Sequence, residues 1–301
     1  MAPTYLLGVD LGGTKTSASL GTDAGVLLDK IVTPTAATVE ETLAAIYANL
    51  EQLLLKHKVS VAAIGVSSGG PLDSEAGVIQ SPPNLPAWRD IPITKLLSDH
   101  FSIPAYLEND ANACALAEWH WGAGVGSSSL IFLTFGTGLG AGLILDGKLY
   151  RGASGLAGEV GHWRMAPDGP ECYYKRGSFE SFASGCGING LYKEWYEEDI
   201  SAKEVCMRAL AGEEQANNVI QKSAEMLGSG LALLVDLLNV ERIIIGSIYA
   251  RNIELFAHPM QQVMEAECLS QSLAACEVLP AALGESLGDL AALGIARDAL
   301  K

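Results

Sequence analysis

Leu7-Gly8-Val9-Asp10-Leu11-Gly12-Gly13-Thr14-Lys15 and, later in the chain, Phe135-Gly136-Thr137-Gly138-Leu139-Gly140 are apolar strands that break at a turn of small residues and resume as a second strand. Around the first, Tyr5 to Asp10, Thr16 to Leu20 and Val26 to Val32 read as a three-stranded antiparallel start. Around the second, Leu130 to Phe135 and Ala141 to Leu145 repeat strand, turn and strand, and Asp146-Gly147 marks a further hairpin. The chain reads as internally duplicated, with two similar α/β domains facing each other across a cleft.

The intervening pattern is helical or loop-forming. Thr38-x-x-Glu41 has the form of a capping box, and Leu43, Ile46, Leu50, Leu53 and Leu54 share one helix face. Ala62 to Ser67 is a buried strand that ends in Ser68-Gly69-Gly70-Pro71, a loop suited to ligand contact. Pro104 to Glu108 is another strand, after which the spacing turns helical from Asn109 to Trp121. Asn109 and Asp110 therefore stand where strand hands over to helix, and either can cap it. Gly152 to Gly190 is Gly- and Ser-rich and too long for an ordinary connection, which makes it a candidate functional segment. Helices dominate beyond it, apart from an apolar run at Glu241 to Ile248 that contains Gly246-Ser247. The expected domains are residues 1–115 and 116–287, with a helix at 288–301 packing back on the first.

With 301 residues, 49% of them hydrophobic, the chain can bury a sizeable core. A formal net charge of -16 without any Lys/Arg cluster argues against nucleic acid or anionic lipid as a partner. Met1 to Leu7 has no basic region and its apolar run stops at Asp10, so no signal peptide or membrane span is expected, and the expected location is cytoplasmic. Six cysteines, at 114, 172, 186, 206, 268 and 276, show no C-x-x-C pairing, and reduced, mostly buried thiols are expected.

Small residues at a tight turn let backbone N–H groups approach an anion with no Cβ in the way. Taken singly, Gly12-Gly13 or Gly136-Thr137-Gly138 is equally a plain β-turn; two related turns point to phosphate. A dinucleotide fingerprint is excluded because a strand and not a helix follows Gly138, and no G-x-x-x-x-G-K-[ST] occurs. Asp10 offers a carboxylate to a hydrated Mg²⁺, while Thr14 and Lys15 offer a hydroxyl and an ammonium to phosphate oxygens. Each of these alone also reads as a turn former or a solvated charge.

These stretches, with Glu108-Asn109-Asp110-Ala111-Asn112 and Gly158-Glu159-Val160-Gly161-His162, resemble the ROK family of sugar kinases and repressors. The resemblance runs in order over nearly the whole chain and takes in Pro82-Pro83-Asn84-Leu85 and Gly246-Ser247. It implies an actin-like ATPase (ribonuclease H-like) duplicated fold and phosphorylation of a hexose by Mg-ATP. It assigns Asp110 as general base and gives sugar hydroxyls to Gly70, Asn84, Asn109, Glu159, His162 and Glu180. ATP lies along Gly12, Gly13, Thr14, Lys15, Gly136, Thr137 and Gly138, with Gly246 and Ser247 near the adenosine; Ser247 stands where a second glycine is usual. The family implies a homodimer or homotetramer, and leaves open which hexose or N-acetylhexosamine is taken and whether polyphosphate can replace ATP.

One motif departs. Typical members follow Gly-Glu-x-Gly-His with C-x-C-G-x-x-G-C-x-E, whose cysteines join the histidine around zinc. Here Cys172-Tyr173-Tyr174-Lys175-Arg176-Gly177-Ser178-Phe179-Glu180 keeps Gly177 and Glu180, is one residue short, and has Tyr174 and Ser178 in place of cysteines. His162 and Cys172 alone do not hold structural zinc, and Cys186 is a poor substitute, so zinc is not expected. Packing of Tyr173, Tyr174 and Phe179 is expected to order the loop instead. A repressor of this family would carry a helix-turn-helix ahead of the first strand, which here begins by Tyr5, and an iron–sulfur activator would need closely spaced bridging cysteines; kinase is the expected class.

Overall fold

Strand β1 (Tyr5–Leu11) turns through Gly12-Gly13-Thr14 into β2 (Lys15–Thr22), which pairs antiparallel with it in the register Leu7↔Leu20 and Asp10↔Ser17. β3 (Leu27–Pro34) completes the antiparallel trio, and α1 (Val39–His57) follows. Thr38 caps α1 by accepting from the Glu41 N–H at 3.3 Å, as the capping box implied. β4 (Val61–Ser68) returns parallel beside β1. A small hairpin, β5 (Leu72–Asp73) and β6 (Val78–Ile79), and helix α2 (Ile93–Phe101) lead to β7 (Ala105–Asn109) and α3 (Asp110–Trp121). The five-stranded sheet has the order β3-β2-β1-β4-β7. This computed structural model describes residues 2–301.

The central strands read as near-continuous apolar runs because both faces of the sheet are covered. Leu7, Val9, Ile64 and Val66 pack with Ile46, Leu50 and Leu53 of α1 on one side. On the other lies the C-terminal helix (Leu287–Asp298), whose Leu290 to Ala296 are buried against β1, β4 and α3. Gly65 permits this close approach: a Cβ there would overlap the Ala292 carbonyl oxygen. Gly65→Val is expected to cost about 3 kcal/mol of unfolding free energy by overpacking, read as a lowered urea midpoint. An unchanged midpoint would mean that the C-terminal helix is not seated on β4.

The chain divides into two compact units, Met1–Val125 with Ala282–Lys301, and Gly126–Ala281. The boundary expected after residue 115 falls inside α3. That helix continues to Trp121, whose indole N–H donates to the Asp23 carbonyl at 3.2 Å and whose ring lies under the Arg297 guanidinium, which ties it to the first unit. The unit also resumes earlier than residue 288, since the Leu283 N–H donates to Glu118 Oε1 at 3.0 Å.

The second unit repeats the plan. β8 (Leu130–Phe135), β9 (Leu139–Leu145) and β10 (Lys148–Leu149) are antiparallel, joined by a turn in which Asp146 and Gly147 both take positive φ. A short hairpin of β11 (Glu171–Cys172) and β12 (Lys175–Arg176) precedes α4 (Phe179–Phe182), α5 (Gly185–Tyr196), α6 (Ala202–Leu210) and α7 (Glu214–Leu238). β13 (Arg242–Ile245) then pairs parallel with β8, followed by α8 (Ser247–Arg251), α9 (Ile253–Glu267), α10 (Ser270–Ala274) and β14 (Glu277–Pro280). The sheet order β10-β9-β8-β13-β14 matches the first sheet strand for strand, so the duplicated α/β fold expected from the two hairpins is present. β14 was not foreseen, being four residues long, only partly buried and at a sheet edge. Among the described residues no helix is long and apolar enough to cross a membrane.

Candidate active site

In the first unit the β1–β2 turn is tied to the end of β3. The Thr35 hydroxyl donates to the Gly12 carbonyl at 2.6 Å, the Thr35 N–H donates to Thr14 O at 3.1 Å, and the Gly12 N–H closes the turn on Lys15 O at 3.1 Å. Thr14 and Lys15 are exposed at its tip. Asn84 is seated on this turn so closely that a Cβ on Gly13 would overlap the Asn84 carbonyl oxygen, and its side chain lies beside Gly69. The next peptide bond but one, Gly70-Pro71, is cis.

The handover from β7 to α3 is rigid. Asn109 is the cap, its Oδ1 accepting from the Asn112 N–H at 2.8 Å, which decides between the two residues that sequence left open. Below it Glu108, 1% exposed, accepts through Oε1 from Ser74 Oγ at 3.1 Å, the Asn109 N–H at 3.0 Å and Asn112 Nδ2 at 2.9 Å. Asp110 is the first helical residue; its carboxylate is exposed, with Oδ1 accepting from the Ala111 N–H at 2.8 Å.

Asp10 and Asp110 share one electrostatic neighbourhood. Burial first, then the like charges of Asp289 and Asp110, push the Asp10 carboxyl up to about 6, with Lys15 pulling the other way. Asp289, from the first turn of the C-terminal helix, is buried and accepts from Ser17 Oγ at 2.6 Å and Lys30 Nζ at 2.9 Å. The Asp10 carboxylate, half-buried at the end of β1, is a hard oxygen ligand of the kind that suits the hydrated Mg²⁺ it is expected to hold.

In the second unit the Gly136 N–H closes its turn on Gly138 O at 3.1 Å. The N-terminus of α5 grips the same turn, the Gly185 N–H donating to Gly136 O at 2.7 Å and the Cys186 N–H to Thr137 O at 3.1 Å. Glu180, in the first turn of α4, accepts from the Leu139 N–H at 2.9 Å, so an expected sugar ligand also braces the β8–β9 turn. Ser247 takes φ +54, the left-handed region that glycine enters without strain, which accounts for the usual glycine at that place. A pocket of about 790 Å³ opens here, lined by Gly136, Thr137, Cys186, Lys203, Ser247 and Arg251 among others.

Glu159 and His162 flank a 3-10 turn (Val160–His162), both exposed. The same turn abuts Glu180, since Gly161 lies against the Glu180 Cβ. Tyr173 meets the His162 ring edge-on at 5.3 Å, and Lys175 Nζ donates to the His162 carbonyl.

The architecture and these residues match a known group. A model described as the ROK family covers residues 6–299. The chain belongs to the ROK family. It is 32% identical to a glucokinase of Halalkalibacterium halodurans, over 96% of this chain and 93% of that one. A ROK hexokinase from Thermus thermophilus superposes with a TM-score of 0.87 at 32% identity, covering 99% of both chains. A ROK family glucokinase from Streptomyces griseus, in complex with glucose and AMPPNP, gives 0.80 at 30% identity over 99% of this chain and 100% of that one.

Against the ROK zinc motif, the structure corrects two expectations. Cys172 is not a free thiol but is bonded to Cys186, with Cα atoms 6.2 Å apart; Cys114, Cys206, Cys268 and Cys276 are free. Tyr174 does not pack into the loop but is 94% exposed, because Tyr173 and Tyr174 both adopt positive φ and turn it outward. Of the three residues expected to order the loop, Phe179 alone is buried, and it stacks on Trp163. Ser178, where a cysteine ligand would stand, caps α4 by accepting from the Ser181 N–H at 3.1 Å. These residues do not fit a tetrahedral zinc, and among the described residues no group of three His, Cys, Asp or Glu side chains is disposed to hold a metal. The sequence reading missed Glu108 and Asp289 as supports of the site; Glu108 had a signal in its place beside Asn109-Asp110.

Proposed function

We propose that this chain, a sugar kinase of the ROK family, transfers the terminal phosphate of ATP to a hexose hydroxyl, with Asp110 taking the hydroxyl proton. The observation that carries this reading is the exposed Asp110 carboxylate on a rigid helix start, in the electrostatic neighbourhood of Asp10 where β1 enters its phosphate turn. The glucokinase relatives and the solved structure holding glucose and AMPPNP support the substrate pair.

In this reading Gly70, Asn84 and Asn109 of the first unit and Glu159, His162 and Glu180 of the second take the sugar hydroxyls, offering both donors and acceptors to a polyol ring. Asp110 accepts the proton as the new O–P bond forms, while the breaking bond leaves its electron pair on the ADP oxygen. Being exposed, Asp110 then returns the proton to solvent. Thr14 and Lys15 of one turn and Gly136, Thr137 and Gly138 of the other hold the phosphates, and the 790 Å³ pocket beside Gly246-Ser247 takes the nucleoside. Asp10 would hold a hydrated Mg²⁺, which would neutralise charge on the phosphate oxygens.

The test is a coupled assay of ADP release over a panel of hexoses and N-acetylhexosamines, with ATP or polyphosphate as donor. Sugar-dependent ADP release with one of the hexoses is expected; sugar binding without turnover on any substrate would overturn the kinase reading in favour of a regulator. Glu180→Ala is expected to raise the KM for sugar and for ATP together, each about tenfold, because one carboxylate serves the sugar and accepts from the Leu139 N–H. A change in the sugar KM alone would show that Glu180 does not brace the phosphate turn.

A further inference from the structure

We propose that the Cys172–Cys186 disulfide is a thiol–disulfide exchange site that stands in for the family's zinc, tying the sugar-side hairpin to the phosphate turn, so that a dithiol reductant lowers sugar affinity. The inference rests on the functional reading above for the identity of the two ligands.

Position carries the first part. Cys172 ends β11 and is followed by two residues in left-handed backbone, Tyr173 and Tyr174, before Lys175 opens β12. Tyr173 and Lys175 are the residues of this hairpin that touch His162, by ring edge and by ammonium. At the other end of the bond, Cys186 is the second residue of α5, and its own N–H holds the Thr137 carbonyl. The Sγ–Sγ bond is thus a covalent link from the surroundings of a sugar ligand to the phosphate turn. Besides the Arg164 guanidinium, which donates to the Arg176 carbonyl at 2.9 Å, the hairpin's side-chain ties from Arg176 to Asp168 and to Glu194 are exposed ion pairs, which hold a segment weakly. Where zinc would make the loop respond to a chelator, this bond makes it respond to thiols.

Access carries the second part. Cys172 is 3% exposed, whereas Cys186 is partly exposed and lines the 790 Å³ pocket. A thiolate entering the pocket attacks Cys186 Sγ, forming a mixed disulfide and expelling Cys172 as thiolate, which takes up a proton. The reductant's second thiol then attacks its own sulfur in the mixed bond and releases Cys186. The reductant ends as a disulfide, having given two electrons and two protons, and Cys172 and Cys186 end as thiols. A nucleotide seated in the pocket covers the attacked sulfur, so it slows the reaction.

The experiment uses the full-length protein purified without reductant. Alkylation in denaturant is expected to label four cysteines, and six after native treatment with dithiothreitol, counted by mass. The Kd for glucose, measured by calorimetry so that turnover is not required, is expected to rise about tenfold on reduction and to recover on reoxidation. The double variant Cys172→Ser, Cys186→Ser should start at the weaker Kd and ignore dithiothreitol. AMPPNP should slow labelling of the released thiols in the parent. Six labelled cysteines before reduction, stoichiometric zinc by elemental analysis, or one glucose Kd in both redox states would overturn the proposal. Absence of ADP release with every sugar would overturn the kinase reading instead, and leaves the label count and the glucose Kd to decide this one.

Discussion

Asp110→Asn is expected to lower kcat by about three to four orders of magnitude while the dissociation constants for sugar and AMPPNP stay within a few-fold of the parent. The amide is isosteric and keeps an oxygen to accept the Ala111 N–H, now made by Oδ1 at 2.8 Å. Helix α3 keeps its cap, because Asn109 and not Asp110 supplies it. What the variant loses is a group that can take a proton from the attacking hydroxyl, so the deficit falls on the chemical step and not on binding. Removal of this charge also takes one of the like charges away from Asp10, whose carboxyl should titrate below its value of about 6. Single-turnover rates and calorimetric binding separate the two effects. Turnover within tenfold of the parent would remove Asp110 from the role of base.

The parts of the fold and site legible in sequence are those written in local pattern. Gly12-Gly13 and Gly136-Thr137-Gly138 interrupt apolar runs that resume at once, and both became three-residue turns between antiparallel strands. Thr38 and Asn109 cap helices because each stands three residues ahead of a free N–H. Other features depend on contacts that no spacing encodes. Asp289 looks like an ordinary first-turn acid, yet its partners Ser17 and Lys30 lie 272 and 259 residues away. Cys172 and Cys186 are only 14 residues apart, but one ends a strand and the other opens a helix, so their meeting follows from the packing of α5 on the β8–β9 turn. Tyr174 read as a packing residue by its type, and the backbone decided otherwise by turning it to solvent. The first domain's end was misplaced because α3 carries no break at residue 115; Trp121 and its contact with Asp23 hold the helix to the first unit.

Asp10→Asn separates function from stability at one atom. The carboxyl titrates near 6 in the folded protein against an ordinary value of 3.8, so between those values the folded chain holds a proton that the unfolded chain has released. Stability therefore falls as pH rises through that window and stays lower above it, by up to about 3 kcal/mol at neutral pH. The asparagine variant escapes this cost. Its melting temperature in ligand-free buffer at pH 7.5 is expected to exceed that of the parent, with the difference fading as the pH is lowered from about 6 toward 4. Turnover should move the other way, falling by about two to three orders of magnitude, since the amide cannot neutralise a cation bound through water. Addition of Mg²⁺ with AMPPNP should raise the parent's melting temperature more than the variant's, because the bound cation relieves the crowding of Asp10 by Asp289 and Asp110. In the parent the KM for Mg-ATP should climb as pH drops below about 6, where a proton occupies the carboxylate that the cation needs. Because Asp10 and Asp110 repel one another, the gains from Asp10→Asn and Asp110→Asn should not add in the double variant. A variant that melts at or below the parent at pH 7.5 would mean that Asp10 is not strained by its neighbours, and the case for a cation at the end of β1 would go with it.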